Sequence, residues 1–239
     1  MFRRAATRYS GAMTRAIVIG ASGGIGSALA AALETRGVEV SRVSRRSDPR
    51  LDLADDASIA AAAARLAPRA PFDLILIATG LLHGNGLSPE KSLSQIDGEA
   101  LGRLFRINAT GPAIVMRHFV PLLARDRRSV MAALSARVGS IGDNRLGGWV
   151  GYRSAKAALN QIIRTLAIEL ARTHPRAILA GLHPGTVDTA LSAPFQRMVA
   201  PHALFTPDQS ARLLLDVIDG LVPTDSGGCF DHAGQRIDP

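Results

Sequence analysis

Apolar residues gather along this chain in five short runs, at residues 15–19, 39–43, 72–78, 129–134 and 177–182, and between the runs they recur every three or four positions. A short apolar run has the length of a buried strand, whereas recurrence at three and four residues is the period of a helix packed by one face. Strands that alternate with helices build a parallel sheet covered on both faces. Right-handed crossovers then wind the chain onto both sides and leave a ligand crevice beyond the C-terminal ends of the strands. The expected fold class is therefore α/β, a single domain with a doubly wound parallel sheet.

The turn after the first run adds chemistry. Residues 15–19 lead directly into Gly20-Ala-Ser-Gly-Gly-Ile-Gly26, and a helical pattern follows with Ile25, Ala28, Leu29, Ala32 and Leu33 on one face. A strand, a glycine-rich turn and a helix in this order make a dinucleotide site. The absent side chains let the backbone approach a pyrophosphate, and the free N–H groups of the helix N-terminus meet its charge. The spacing is G-x3-G-x-G, and Gly20, Ser22, Gly24, Ile25 and Gly26 are the residues expected to cradle the cofactor.

A second feature stands out against the composition. The chain has 28 basic residues but only two lysines and two tyrosines, and Tyr152 and Lys156 stand four apart. Downstream, Ala155, Leu159, Ile162, Ile163, Leu166, Ala167 and Leu170 keep the helical period, so the pair projects from one helix face. An ammonium beside a phenol favours the phenolate and draws its pKa from about 10 toward the range of a working acid or base.

Taken together, these residues resemble the classical short-chain dehydrogenase/reductase family from Ala16 to about Asp231, which implies a Rossmann-type fold. The resemblance rests on Gly20, Gly24 and Gly26, on Asn108, Ser135, Tyr152 and Lys156, and on Pro184-Gly-Thr-Val-Asp-Thr189, all in the family's order. The stretches at residues 135–141, 147–149 and 182–189 look closest to a carbonyl reductase-like branch that includes C-factor signalling proteins and sniffer-type reductases. By that resemblance Tyr152 is the acid/base of an NADP(H)-dependent reduction of a carbonyl to an alcohol. Lys156 lowers its pKa and binds the nicotinamide ribose, and Asn108 holds a water linking Lys156 to solvent. The polarising serine is Ser135 when counted from the start of its strand, while counting back from Tyr152 favours Ser140. A signalling protein that binds a dinucleotide with incidental turnover is the alternative function.

The end of the second strand reads Val43-Ser-Arg-Arg46, with no carboxylate before Asp48. An acid there would bind the ribose hydroxyls of NAD(H), and arginine accommodates a 2′-phosphate, so Arg45 and Arg46 point to NADP(H) over NAD(H). Resemblance adds Asp52 and Leu53 at the adenine, Ala78, Thr79 and Gly80 at the adenosine ribose, and Pro184, Gly185, Val187 and Thr189 beyond the fifth strand. The family's Asn-Asn-Ala-Gly is replaced here by Ile77-Ala-Thr-Gly80. Residues 190–201, with Leu191, Phe195, Met198 and Val199, occupy the place of a mobile substrate lid, and Trp149 and Leu81 would complete an apolar wall for a carbonyl or alcohol substrate.

A chain of 239 residues that is 47% hydrophobic can bury one substantial core. Residues 14–239 read as one domain, and residues 1–13, with three arginines and no acid, as an extension outside it. A single cysteine and six histidines without ligand spacing offer no metal site. The net charge of +8 is spread over scattered arginines, and 4% aromatic residues give no stacking platform, so no nucleic acid partner is expected. No segment approaches a membrane span. The protein is expected in the cytoplasm. The apolar stripes Ile114, Val115, Phe119, Leu122 and Leu159, Ile163, Leu166, Leu170 are compatible with the homodimer or homotetramer that the resemblance implies.

Overall fold

The computed structural model describes residues 13–84 and 86–238. Strand β1 (Arg15–Ile19) runs through the glycine turn into α1 (Gly24–Thr35), followed by β2 (Glu39–Val43), α2 (Asp56–Leu66) and β3 (Leu74–Ile77). The next crossover holds α3 (Gly98–Phe105), a π-helical turn (Arg106–Thr110) and α4 (Gly111–Phe119), and leads to β4 (Ser129–Leu134). After it come α5 (Val150–Thr173), β5 (Ala177–His183), the short strands β6 (Thr186–Val187) and β7 (Leu204–Phe205), α6 (Pro207–Gly220), β8 (Cys229–Asp231) and β9 (Arg236–Ile237). The main sheet has the order β2-β1-β3-β4-β5-β8-β9, parallel except for β9, and β6 pairs with β7 apart from it. This is the doubly wound α/β sheet that the alternating pattern predicts.

Alternation along the strands sends side chains to two cores. Ile17, Ile75, Met131 and Leu179 face α2, α4 and α5, while Val18, Leu76, Ala132 and Ala180 face α1 and α6. The stripes considered for a subunit interface are largely spent here: Val115, Phe119, Leu122, Leu159, Ile163 and Leu170 are buried in the first core, and Ile114 and Leu166 pack against it. Residues 1–12 of the expected extension lie outside the described residues. Met13, read as part of that extension, packs against the second core.

The chain departs to opposite sides of the sheet from β1 and β3, so their C-terminal ends diverge into a crevice. A Cβ on Gly20 would come within 2.6 Å of Ala78 O across that gap, and Gly20 has φ +91°, which only glycine adopts without strain. Among the described residues no helix is long and apolar enough to cross a membrane.

Candidate active site

The crevice holds a cavity of about 320 Å³ lined by Gly20, Ser22, Gly23, Ser44, Arg45, Asp52, Leu53, Ala78, Thr79 and Gly80, among others. Of the expected cofactor residues, eight meet in this lining. Gly26 is buried against Gly20, where any Cβ would collide with the Gly20 carbonyl. The Ile25 side chain packs into the core, so only its backbone faces the turn. Gly23 caps α1 without a side-chain bond, so the first N–H groups of the helix lack a capping partner. A Cβ on Gly24 would lie 2.7 Å from Thr189 Cγ2, which brings the segment carrying Pro184, Gly185, Val187 and Thr189 to the far border of the same turn.

These residues fit a phosphorylated dinucleotide. The Thr79 hydroxyl is buried without a partner in the cavity wall. Among the described residues Arg45 makes no ion pair, while Asp52 is engaged by Arg50 at 3.1 Å and by the Ala54 N–H at 3.0 Å. Arg46 lies outside the lining, exposed, with its N–H on Ser44 Oγ at 3.1 Å.

Tyr152 and Lys156 sit in the first two turns of α5, both buried. The Lys156 ammonium donates to Leu134 O at 2.8 Å and lies 5.7 Å from the centre of the Tyr152 ring. Burial pushes the Tyr152 phenol up to about 12 and the Lys156 ammonium down to about 8. In both groups desolvation is the leading cause, since burial disfavours the charged form of each.

Asn108 is fully buried in the π-helical turn. Its Oδ1 accepts the Leu81 N–H at 3.0 Å, and its Nδ2 donates to Leu81 O at 2.7 Å and Leu104 O at 3.0 Å. One amide proton and Oδ1 thus pin Leu81 in the segment after β3, and the other amide proton bonds back to the preceding helical turn.

Among the described residues the Ser135 hydroxyl is bonded to Asn160 and makes no hydrogen bond to Tyr152. It donates to Asn160 Oδ1 at 2.6 Å, a full turn of α5 beyond Lys156. Ser140 is also buried, and its oxygen accepts the Asp143 N–H at 3.1 Å within its own loop. Ala136 instead packs against the cluster that contains Tyr152.

That cluster forms the outer wall. Leu81, Trp149, Leu191 and Phe195 gather around Leu82, Leu87, Leu104 and Tyr152, as the sequence led one to expect. The Phe195 ring meets Trp149 at 4.9 Å and His83 at 5.6 Å, and Trp149 meets Tyr152 at 6.4 Å, all edge to face. Two residues were not recognised from sequence. His83, one of the six histidines without ligand spacing, places Nε2 3.1 Å from both the Ala190 and Leu191 carbonyls and so holds the segment after Thr189 when that nitrogen carries its proton. Glu90 is buried, accepts the Trp149 N–H at 2.6 Å through its carbonyl and the Gly151 N–H at 3.3 Å through its carboxylate, and thereby holds the start of α5. No local pattern announces either residue.

Among the described residues no group of three His, Cys, Asp or Glu is placed to hold a metal. Cys229 is buried, and burial pushes its thiol up to about 11.

The family model for short chain dehydrogenases matches residues 14–200. C-signal of Myxococcus xanthus is 36% identical over 146 residues, 61% of this chain and 82% of that protein. The 1-hydroxy-2-glutathionyl-2-methyl-3-butene dehydrogenase of Rhodococcus is 29% identical over 232 residues, 92% and 97% of the two chains. A short-chain dehydrogenase/reductase structure from Burkholderia multivorans with bound NADP superposes with a TM-score of 0.80 at 26% identity, covering 95% of this chain and all of the other.

Proposed function

The chain belongs to the short chain dehydrogenase family of oxidoreductases, and we propose that it reduces an aldehyde or ketone to an alcohol with NADPH. The observation that carries this reading is the buried Tyr152 and Lys156 pair placed against an apolar wall at the mouth of a glycine-lined crevice. Binding alone needs no buried acid. The glycine turn and the α1 N-terminus would hold the pyrophosphate, Thr79 the adenosine ribose, and Arg45, with Arg46 beside it, a 2′-phosphate. The NADP bound by the Burkholderia relative supports the same preference. Bound NADPH would supply the hydride that converts the carbonyl carbon to a C–H centre.

Tyr152 then gives its phenolic proton to the carbonyl oxygen. A phenol raised to about 12 stays protonated at neutral pH, which suits a donor. The Lys156 ammonium neutralises the phenolate left behind, and its donors not used on Leu134 are available to the cofactor ribose. Leu81, Trp149 and Phe195 exclude water from the reacting carbonyl.

The similarity to C-signal keeps a second reading, a dinucleotide-binding signalling protein with incidental turnover. NADPH oxidation against a panel of aldehydes, ketones and quinones separates the two, with NADPH and NADH affinities measured in parallel. The reductase reading predicts turnover and a preference for NADPH that Arg45→Gln removes. Binding of NADPH without turnover of any carbonyl favours the signalling reading, and equal affinity for the two cofactors contradicts the role of Arg45.

A further inference from the structure

We propose that Ala136 sets the substrate class of this site. With no serine hydroxyl from the end of β4 beside Tyr152 to polarise a carbonyl, the protein takes carbonyls activated by electron-withdrawing neighbours, such as nitro-substituted aryl aldehydes, 1,2-diketones and quinones, and discriminates against simple dialkyl ketones. The inference rests on the reductase reading and deepens it.

The argument starts at the end of β4. Ser135 still donates its N–H to Leu182 O at 2.8 Å, and Ala136 follows with φ −152° and ψ 146°, so both residues are extended. Consecutive side chains of an extended chain face opposite ways. Ser135 faces α5 and is held by Asn160, eight residues after Tyr152, which at 1.5 Å per residue is about 12 Å further along the helix axis. Helical side chains lean toward the N-terminus, so the phenol reaches away from Ser135 rather than toward it. The Ser135 hydroxyl is thus turned to Asn160 rather than to Tyr152. Ser140 offers no substitute: Gly139 and Ile141 on either side of it line a separate cavity with Ala157, Asn160, Arg164 and Arg236.

Ala136 takes the opposite face, with Val138, Trp149, Leu191 and Phe195, against Tyr152 and its cluster. The His83 Nε2 that borders it is committed to the lid carbonyls. Trp149 offers a neutral indole N–H on a ring engaged edge to face with Phe195 and Tyr152. A carbonyl oxygen becoming negative during hydride transfer therefore leans on the phenol and on its own substituents. One preorganised donor to such an oxygen is worth about 10²- to 10³-fold in rate. A dialkyl ketone lacks electron-withdrawing support and bears that loss in full, whereas electron-withdrawing neighbours stabilise the developing oxyanion inductively, and a flat substrate that carries them fits between aromatic walls.

The test uses the full chain with NADPH, para-substituted benzaldehydes from methoxy to nitro, phenanthrenequinone and cyclohexanone, in the wild type and in Ala136→Ser. The expected wild-type result is a kcat that climbs at least about 10-fold from methoxy to nitro and exceeds that on cyclohexanone by about 10²-fold or more. Ala136→Ser should raise kcat on cyclohexanone by at least about 10-fold while moving the quinone rate by less than about 3-fold. A flat substituent series in the wild type, or cyclohexanone turned over as fast as the quinone, overturns the proposal without recourse to any variant. So does a collapse of turnover in Ser135→Ala with Asn160→Ala unaffected, since it would place the Ser135 hydroxyl on the substrate. Turnover of both classes alike, still abolished in Tyr152→Phe, leaves the reductase standing and removes only this inference. Failure of every carbonyl despite bound NADPH removes the reductase reading and the inference with it.

Discussion

Lys156 carries a charge into a place where almost nothing pairs with it. It is 2% exposed, its one hydrogen bond among the described residues goes to a neutral carbonyl, and burial brings its pKa from 10.5 down to about 8. The unfolded chain keeps this proton up to about 10.5 and the folded chain only to about 8, so at neutral pH the charge opposes folding, and stability rises with pH between those values. Tyr152 acts with the opposite sign higher up, because its folded form holds a proton to about 12 and stability falls as pH climbs above 10. Lys156→Met, which keeps the packing volume, should therefore raise the melting temperature at pH 7, by about 2 kcal/mol or roughly 4–8 °C, and flatten the rise between pH 8 and 10. Calorimetry across that range checks it, and a less stable variant would mean that the ammonium is better paired than the geometry shows.

At the scale of elements, α5 is the part on which the site depends, and its neighbours approach it closely. A Cβ on Gly139 would stand 2.8 Å from Lys156 Cβ and 2.9 Å from the Lys156 carbonyl carbon, so the turn after Ala136 rests directly on the backbone of the helix. Backbone cannot yield as a side-chain tip can. Gly139→Ala should cost about 1–3 kcal/mol in denaturant unfolding and lower turnover by shifting Ala136 and Val138 against Tyr152. Unchanged stability and rate would show that this contact does not position the wall. The same elements show how far a sequence reading reaches. Residues 15–19, 39–43 and 129–134 were legible as strands to the residue, because a run of buried apolar positions ended by a glycine or polar turn leaves little freedom of register. The glycine crevice and the Tyr152 and Lys156 pair were legible because each function depends on local spacing. The serine was not. In an extended segment a shift of one residue exchanges the two faces, and no local signal says whether Ser135 or Ala136 looks into the cleft. His83 and Glu90 escaped notice because their partners lie 107 and 61 residues away. The short strands β6 to β9, each two or three residues long, carry too few positions for a period to show.

The molecule as a whole keeps its two sheet edges for different work. At the N-terminal edge Asp73 accepts the Thr14 N–H at 2.9 Å and the Arg15 N–H at 3.1 Å and pairs with Arg127 at 2.7 Å, joining the starts of β1 and β3 far from the crevice. The arginine-rich composition resolves in the same way. Arg15, Arg36, Arg42, Arg50, Arg65, Arg69, Arg106, Arg127 and Arg137 all meet carboxylates, mostly at the exposed surface where each pair contributes little. Arg45 in the crevice lining and Arg46 beside it have no such partner among the described residues, which leaves them available to the 2′-phosphate of the proposed cofactor. At the C-terminal ends of the strands the glycine-lined crevice and the apolar wall around Tyr152 meet at Leu81. The most direct test is therefore Tyr152→Phe, assayed for NADPH binding by fluorescence and for carbonyl reduction in single-turnover mode. The account predicts that binding is kept within about 3-fold while turnover falls by at least about 10²-fold, the scale of a lost general acid. A variant that still reduces carbonyls at the wild-type rate would show that the proton comes from elsewhere, and the site would need a different acid.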